Sequence, residues 1–189
     1  NICSLSAGEP DFDTPEFIID ATLKALKDGK TRYGPAAGDP ELREAIAQKQ
    51  SNINNVPTKA ENVLVTNGGK QAIYNLFQVL LDPEDEVLIP SPYWLSYPEI
   101  AKSAGGVPVI IPSKPEEGFV INSDLLKSSI NNRTKLLVIN SPGNPTGRIM
   151  TLSEMKKVAE VLRSHPRIQI VSDEIYEFIL AENQKHLSF

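Results

Sequence analysis

The sequence has few of the residues that mark disulfide-linked, metal-binding and membrane proteins. Its 189 residues include one cysteine, Cys3, and two histidines, His165 and His186, both of which we interpret as structural or solvated. A lone cysteine cannot form an internal disulfide, so we expect a reducing, cytoplasmic location. No run reaches the roughly 20 apolar residues of a membrane span. No spacing of histidines, cysteines and carboxylates predicts a metal site.

Basic charge and the common nucleotide-binding motifs are also scarce. The net charge is −5 and the isoelectric point is about 5.1, so nucleic acid and anionic membranes are poor partners. The chain has no G-x-G-x-x-G, and Leu64 and Gln71 stand where a P-loop needs glycine and Ser or Thr. An initiator methionine and a signal peptide are not seen, and we expect both ends to lie inside a longer chain.

Two helices are predicted before residue 60. Thr14 as N-cap and Pro15 as the first helical residue predict a helix that Gly29 ends. Asp39 and Pro40 predict a second helix in the same way. The loop KTRYGPAAGD lies between them.

After residue 60, apolar runs alternate with amphipathic segments. This alternation predicts an α/β fold with a mostly parallel sheet, since continuous apolar runs suit strands that are covered on both faces. The predicted strands are NVLVT (62–66), EVLIP (86–90), VPVIIP (107–112), KLLVI (135–139) and IQIVS (168–172). The predicted helices are KQAIYNLFQVLL (70–81), WLSYPEIAKSAG (94–105), SDLLKSSI (123–130, capped by Ser123) and LSEMKKVAEVLRSH (152–165).

Small, polar and aromatic residues follow these strands, at the edge where open α/β sheets bind ligands. The segment TNGGKQ (66–71) favours a phosphate site on helix-start amides, although a tight turn is an alternative. Trp94 could stack on a flat ring or belong to the core. Asp173 directly follows a buried strand and needs a cation or hydrogen-bond donors. Tyr176, within one helical turn, can donate to an oxygen of the same ligand.

Pyridoxal phosphate has all the groups that these side chains would bind: a phosphate, a flat ring, a cationic ring nitrogen and a phenolate oxygen. Aspartate is the usual partner of its ring nitrogen, and opposite charges favour the ionised pair. Asn144 lies in NSPGNPTG (140–147), where prolines and glycines restrict the backbone. It would address the ring hydroxyl together with Tyr176.

Six segments together resemble the class I aminotransferases of fold type I, and above all the bacterial-type aspartate aminotransferases. They are SLSAGEPDFDTPE, YGPAAGDPELREAI, VTNGGKQA, PSPYWLSYPE, NSPGNPTG and VSDEIYE. The resemblance covers nearly the whole chain. It implies a three-layer α/β/α large domain over residues 31–189, incomplete at its C-terminal end. Residues 1–30 would belong partly to a small domain.

The resemblance also implies roles for single residues. The backbone of Gly8 would bind the substrate carboxylate, and the amides of Gly69 and Lys70 would bind the cofactor phosphate. Trp94 would stack on the pyridine ring and border the substrate. Asn144 would bind the ring hydroxyl and the substrate carboxylate.

The catalytic residues implied in this chain are Asp173, paired with the pyridine nitrogen, and Tyr176, bound to the ring hydroxyl. The side chain of Lys70 would also meet the distal carboxylate of an acidic substrate, although it could serve the phosphate alone. Tyr33 would reach the phosphate of a neighbouring subunit in a homodimer.

The implied reaction is transamination between aspartate or glutamate and 2-oxoglutarate or oxaloacetate. The alternatives are an aminotransferase for prephenate or another aromatic or keto acid, a degenerate domain without activity, and a nucleotide-binding domain. The family's Schiff-base lysine follows the SDEIYE region in a Ser-Lys context that Lys185 lacks. We therefore expect that lysine, and the arginine that binds the α-carboxylate, to lie outside this chain, which should be inactive alone.

Overall fold

Four parallel strands form the centre of the fold. A computed structural model describes residues 12–189. The strands are β1 (Glu86–Pro90), β2 (Val107–Ile111), β3 (Thr134–Asn140) and β4 (Gln169–Asp173). Their order across the sheet is β2-β1-β3-β4, and each neighbouring pair is parallel. The predicted α/β class with a parallel sheet is confirmed.

Helices cover both faces of the sheet and complete three layers. Helices α3 and α4 contribute to the core on one face, and α5 and α6 to the core on the other. Within residues 12–189, no helix is long and apolar enough to cross a membrane. The helices are α1 (Glu16–Lys27), α2 (Pro40–Asn52), α3 (Gly69–Leu80), α4 (Ser96–Ser103), α5 (Ser123–Ser129) and α6 (Leu152–Arg163), with 3₁₀ turns at Ala60–Asn62 and Pro115–Glu117.

Strand β3 contributes to both cores because successive side chains point to opposite faces. Leu136 and Val138 join the core under α3 and α4, whereas Leu137 and Ile139 join the core under α5 and α6. All four side chains are buried, and burial of each contributes about 1.5–3 kcal/mol. The apolar run of β3 is continuous because helices cover both faces of the strand. Packing on both faces also fixes the position of the last residue of β3, Asn140.

The strand predicted over residues 62–66 is wrong. Residues 63–66 form no strand pairing with any other part of residues 12–189. The amide of Val65 donates to the carbonyl of Ala37 at 3.0 Å, and Leu64 is 59% exposed. Apolar and β-branched residues favour a strand only where a neighbouring strand offers hydrogen bonds and side-chain cover. The described residues supply no such neighbour here.

Two predicted helix caps shift by one residue. Pro15, rather than Thr14, is the N-cap of α1. Asn122 caps α5 by accepting two backbone amide hydrogen bonds, so Ser123 is the first helical residue. Asparagine is among the strongest N-caps, and it precedes the serine that we predicted. The predicted cap Asp39 is confirmed, with its carboxylate accepting two amides of α2.

Two adjacent leucines of α5 provide a test of the second core. Leu126 is completely buried, whereas Leu125 is 40% exposed. We expect Leu126→Ala to lower the free energy of unfolding of the full-length protein by about 2–5 kcal/mol, because it leaves a cavity in the core where α5 packs on α6 and β2. Leu125→Ala, the control, should cost less than about 1 kcal/mol. Equal effects in denaturant titrations would contradict this account of the core.

Candidate active site

A cleft lies at the carboxyl edge of the sheet. Asn140 and Asp173, the last residues of β3 and β4, pair in register at this edge. The cleft has a volume of about 720 Å³, within the range of roughly 300–1,000 Å³ typical of small-molecule sites. Five residues predicted from the sequence line it: Gly69, Trp94, Asn144, Asp173 and Tyr176. The other lining residues are Tyr93, Leu95, Tyr97, Asn140, Pro145 and Ile175.

The amino end of α3 forms one part of the cleft wall. Gly68, with a φ of 80°, has the left-handed conformation that favours glycine. The Thr66 hydroxyl donates to the carbonyl of Gly68 at 2.9 Å, and the Gln71 side chain accepts the amide of Asn67 at 2.7 Å. No side chain from residues 12–189 caps the first turn of this helix. Its first amides and its dipole therefore remain available to an anion.

Trp94 forms a flat apolar wall just before α4. It is partly buried against the core, and its ring meets the ring of Tyr97 edge-on, with centroids 5.3 Å apart and planes at 85°. The ammonium of Lys70 lies 5.0 Å from the indole centroid, at the distance of a cation–π contact. The wall thus combines an aromatic surface with a neighbouring positive charge.

Asp173 has a hydrogen-bond donor on each carboxylate oxygen. The Tyr97 hydroxyl donates to Oδ2 at 2.6 Å, and the amide of Ile175 donates to Oδ1 at 3.3 Å. Burial, then the negative charge of Asp173 and the hydrogen bond to it, raise the pKa of Tyr97 well above its ordinary value. The Tyr97 hydroxyl therefore keeps its proton and remains a donor. Each carboxylate oxygen has two lone pairs, so acceptor capacity remains for a cationic ligand atom.

The side chain of Asn140 joins the two polar walls of the cleft. Its Nδ2 donates to the carbonyl of Asp173 at 3.0 Å, and its Oδ1 accepts the backbone amide of Asn144 at 2.8 Å. The loop after β3 is also closed on itself, since the amide of Gly143 donates to the carbonyl of Arg148 at 2.9 Å. A Cβ on Gly143 would lie 3.2 Å from the carbonyl oxygen of Asn140. This tight contact favours glycine at position 143.

Glu174 anchors the chain behind Asp173. Its carboxylate accepts hydrogen bonds from the hydroxyls of Ser172 and Ser188 and from the amide of Phe189. The Nε2 of His186 lies 3.1 Å from Oε2. Burial alone would raise the pKa of Glu174, but these hydrogen bonds outweigh burial and lower it below its ordinary value. The side chain of His186 is 8% exposed, so His186 is a partly buried structural residue rather than a solvated one.

Glu174, Glu177 and His186 form a cluster that no sequence spacing predicted. Their potential metal-ligating atoms lie within 4.8 Å of one another. Glu177, however, forms an ion pair with Lys49 and accepts a hydrogen bond from Asn54 at 3.1 Å. A lysine ammonium in contact with one carboxylate already balances its charge. We therefore interpret the cluster as a structural network that ties α2 to the segment after β4.

The other predicted residues lie apart from the cleft lining. Lys70 reaches the edge of the site through its contact with Trp94. Tyr33 is fully exposed on the loop between α1 and α2. Gly8 lies outside the described residues. Lys185 lies in the segment after β4, next to His186, and is exposed.

Sequence reasoning missed Tyr97 and Asn140. In the helix predicted over 94–105, Tyr97 follows Trp94 by three residues, a spacing that predicts two side chains on one face. Asn140 was noted only as the start of a loop, although the last residue of a strand faces its neighbour across a parallel sheet. Both signals were present in the sequence, but only the packed sheet identifies their partners.

The sequence of this chain is similar to those of known aminotransferases. Residues 1–188 match the sequence model of the family "Aminotransferase class I and II". The chain is 50% identical to the aspartate/prephenate aminotransferase of Thermus thermophilus over 97% of its length and 48% of that protein. It is 47% identical to the aspartate aminotransferase of Bacillus subtilis over 100% of its length and 48% of that protein. The chain spans about half the length of these relatives.

The fold agrees with solved structures of similar proteins. The structure of aspartate aminotransferase from Thermus thermophilus with maleate superposes with a TM-score of 0.93 at 50% identity. The superposition covers 97% of this chain and 48% of that one. An aspartate aminotransferase from Rhizobium meliloti gives a TM-score of 0.94 at 37% identity, over 97% of this chain and 46% of the other.

The Glu174 network predicts a pH-dependent contribution to stability. The pKa of Glu174 is lower in the folded protein, so its stabilisation is complete above the unfolded pKa, about 4.3, and is lost as the pH falls through the folded pKa. We expect Glu174→Gln to lower the free energy of unfolding of the full-length protein by about 1–3 kcal/mol at pH 7.

The difference in the free energy of unfolding between Glu174→Gln and the wild type should shrink as the pH falls below about 4. Denaturant titrations across pH would measure it. Glu160→Gln, on the exposed side of α6, is the control and should change stability little. A loss at Glu174→Gln that is the same at every pH would contradict the role of its charge.

Proposed function

Because the chain belongs to the class I and II aminotransferase family, we propose that it forms part of a pyridoxal-phosphate-dependent aminotransferase. The proposed reaction moves an amino group between aspartate or glutamate and 2-oxoglutarate or oxaloacetate. The observation that carries the proposal is that four groups line one cleft. They are the start of α3, the indole of Trp94, the side-chain amide of Asn144 and the carboxylate of Asp173. The family assignment favours this function over a nucleotide-binding domain.

The residues of the cleft fit pyridoxal phosphate. The amides of Gly69 and Lys70 would hold the phosphate, since the first turn of α3 has no side-chain cap within residues 12–189. Trp94 would stack on the ring. Asp173 would pair with the ring nitrogen and keep it protonated. The cofactor, when bound, supplies an electron sink for the bond-breaking step at the substrate's α-carbon.

Asn144 and Tyr176 are the proposed partners of the ring hydroxyl. Asn144 would also bind the α-carboxylate of the substrate. The backbone amide of Asn144 donates to the side chain of Asn140. This hydrogen bond restrains the backbone from which the Asn144 side chain extends at the cleft. We propose Asp173 and Tyr176 as the catalytic residues of this chain, because both would touch the cofactor.

Lys70 is the proposed determinant of acidic substrates. Its backbone amide lies at the start of α3, whereas its ammonium extends to the indole of Trp94, 5.0 Å from the ring centroid. A cation beside the wall that borders the substrate suits a distal carboxylate. A prephenate-accepting enzyme is the alternative, and the Thermus thermophilus relative is named for both aspartate and prephenate.

The complete site needs groups from outside the described residues. We propose that Gly8 binds the substrate carboxylate through its backbone and that Tyr33 reaches the phosphate of a neighbouring subunit in a homodimer. The full exposure of Tyr33 supports a contact outside its own chain. Lys185 is exposed and is not among the residues of the cleft, which supports a Schiff-base lysine outside this chain. We propose that the carboxylate-binding arginine also lies outside it.

We propose two structural units. Residues 31–189 belong to the large cofactor-binding domain, and residues 1–30 belong partly to a small domain. Helix α1 has no buried residue, although Phe17, Leu23 and Leu26 are apolar. An exposed apolar helix face of this kind supports cover by a part of the intact protein outside residues 12–189.

A substrate panel on the full-length protein tests the proposed function. We expect the protein to bind pyridoxal phosphate, and to form the 2-oxo acid from aspartate and glutamate when 2-oxoglutarate or oxaloacetate is the acceptor. Product formation would be measured by chromatography. Turnover of prephenate with inert aspartate would favour the alternative substrate. A protein that takes up no cofactor would contradict the proposal as a whole.

Lys70→Ala separates the two proposed roles of that lysine. We expect kcat/KM for aspartate to fall about 10- to 100-fold, since a hydrogen bond to a charged group contributes about 1.5–3 kcal/mol, while neutral amino acids lose much less. Lys102→Ala is the control, because Lys102 is an exposed lysine of α4 paired with Glu99. Equal losses for acidic and neutral substrates would mean that Lys70 serves the phosphate alone.

A further inference from the structure

We propose that Tyr97 is a positioning residue that holds Asp173 in the orientation required to bind the ring nitrogen of the cofactor. The inference rests on the proposed function, because only a bound pyridine ring gives this orientation a consequence. Tyr97 would act through Asp173 and would not touch the ring nitrogen. Its role is therefore distinct from that of the catalytic residues.

The geometry of the hydrogen bond carries the proposal. The Tyr97 hydroxyl lies 2.6 Å from Oδ2 of Asp173, within the range of about 2.5–2.7 Å of a strong, charge-assisted hydrogen bond. The Tyr97 side chain is 1% exposed and belongs to the core cluster between the sheet and α4. A buried aromatic ring has little rotational freedom. The hydroxyl therefore defines a fixed point to which the carboxylate is bound.

Asp173 needs the restraint that Tyr97 provides because of its position at the end of a strand. Asp173 is the last residue of β4, and the chain leaves the sheet immediately after it. The amide of Ile175 binds the other oxygen at 3.3 Å, a longer and weaker contact. Without Tyr97, rotation about the side-chain bonds of Asp173 would be limited mainly by this second contact. A misplaced carboxylate binds a ring nitrogen less well, because hydrogen bonds weaken steeply with angle.

Tyr97 keeps its proton while it donates. Burial raises the pKa of Tyr97, and the charge of Asp173 raises it further, so the phenol stays neutral and always donates. The charge on the pair therefore resides on the carboxylate, where a protonated ring nitrogen would meet it.

The same side chain also touches the proposed ring-stacking residue. The ring of Tyr97 packs edge-on against Trp94, so a large substitution would disturb both contacts. Tyr97→Phe keeps the ring and removes the hydroxyl alone. Tyr74→Phe is the matched control, since Tyr74 lies on α3, is 45% exposed and is not among the residues of the cleft.

The test measures cofactor affinity of the full-length apoprotein by equilibrium titration. The two probes are pyridoxal phosphate and an analogue with carbon in place of the ring nitrogen. We expect Tyr97→Phe to weaken binding of pyridoxal phosphate about three- to tenfold, which is less than the loss of a direct hydrogen bond to a charged group, because Tyr97 acts on the cofactor only through Asp173. Binding of the analogue should stay within about twofold, since it offers Asp173 no cationic partner. Tyr74→Phe should change neither affinity.

Two further measurements support or overturn the role. In the background of Asp173→Ala, adding Tyr97→Phe should have no further effect on pyridoxal phosphate affinity, because the partner is already gone. This double variant also covers the case in which the single variant is unstable, since removal of both partners leaves no unpaired buried group. In turnover, kcat of Tyr97→Phe should fall while KM for aspartate changes little.

The outcomes separate this inference from the proposed function. If wild type binds pyridoxal phosphate and Tyr97→Phe loses affinity equally for both probes, Tyr97 acts through packing on Trp94, and the positioning role is overturned. Unchanged affinity for both probes also overturns it. In both cases the proposed aminotransferase function stands. If wild type binds no pyridoxal phosphate, both the function and the inference are wrong.

Discussion

The pairing of the last residues of β3 and β4 is the contact on which the cleft depends. Asn140 faces Asp173 in register, and its side chain binds the carbonyl of Asp173 and the amide of Asn144. One amide group therefore sets the distance between the carboxylate on one strand and the loop on the next. A carboxylate at the end of a buried strand is costly unless donors meet it. Here Tyr97 and Ile175 supply those donors.

The rest of the fold supports this contact from both sides. The buried residues of β3 pack in both cores and thereby hold Asn140 in place at the end of the strand. The hydrogen bonds of Glu174 hold the segment that continues from Asp173. Tyr97 links the carboxylate to the wall that Trp94 forms. The cleft is thus assembled from strand ends, the residues that follow them and one helix start.

The sequence alone predicts the sheet class and much of the cleft, for identifiable reasons. Runs such as 136–139 are apolar throughout, and Asp173 could be singled out because a carboxylate directly after such a run needs partners. Asn144 could be singled out because prolines and glycines restrict the backbone around it. The strand at 62–66 was wrong because strand propensity cannot supply a partner strand. Tyr97 was missed because a tyrosine in an amphipathic helix normally packs in the core, and only the folded sheet brings Asp173 to its hydroxyl. Asn140 was missed as an individual residue because its partners come from another strand and from the loop that follows.

The most direct test of the central claim is a crystal structure of the full-length protein with pyridoxal phosphate. The account predicts that the ring lies against Trp94, with its nitrogen within hydrogen-bond distance of the Asp173 carboxylate and its phosphate on the amides at the start of α3. The hydroxyl of Tyr97 should remain bound to Asp173. A cofactor bound away from this cleft, or a ring nitrogen that faces away from Asp173, would contradict the account.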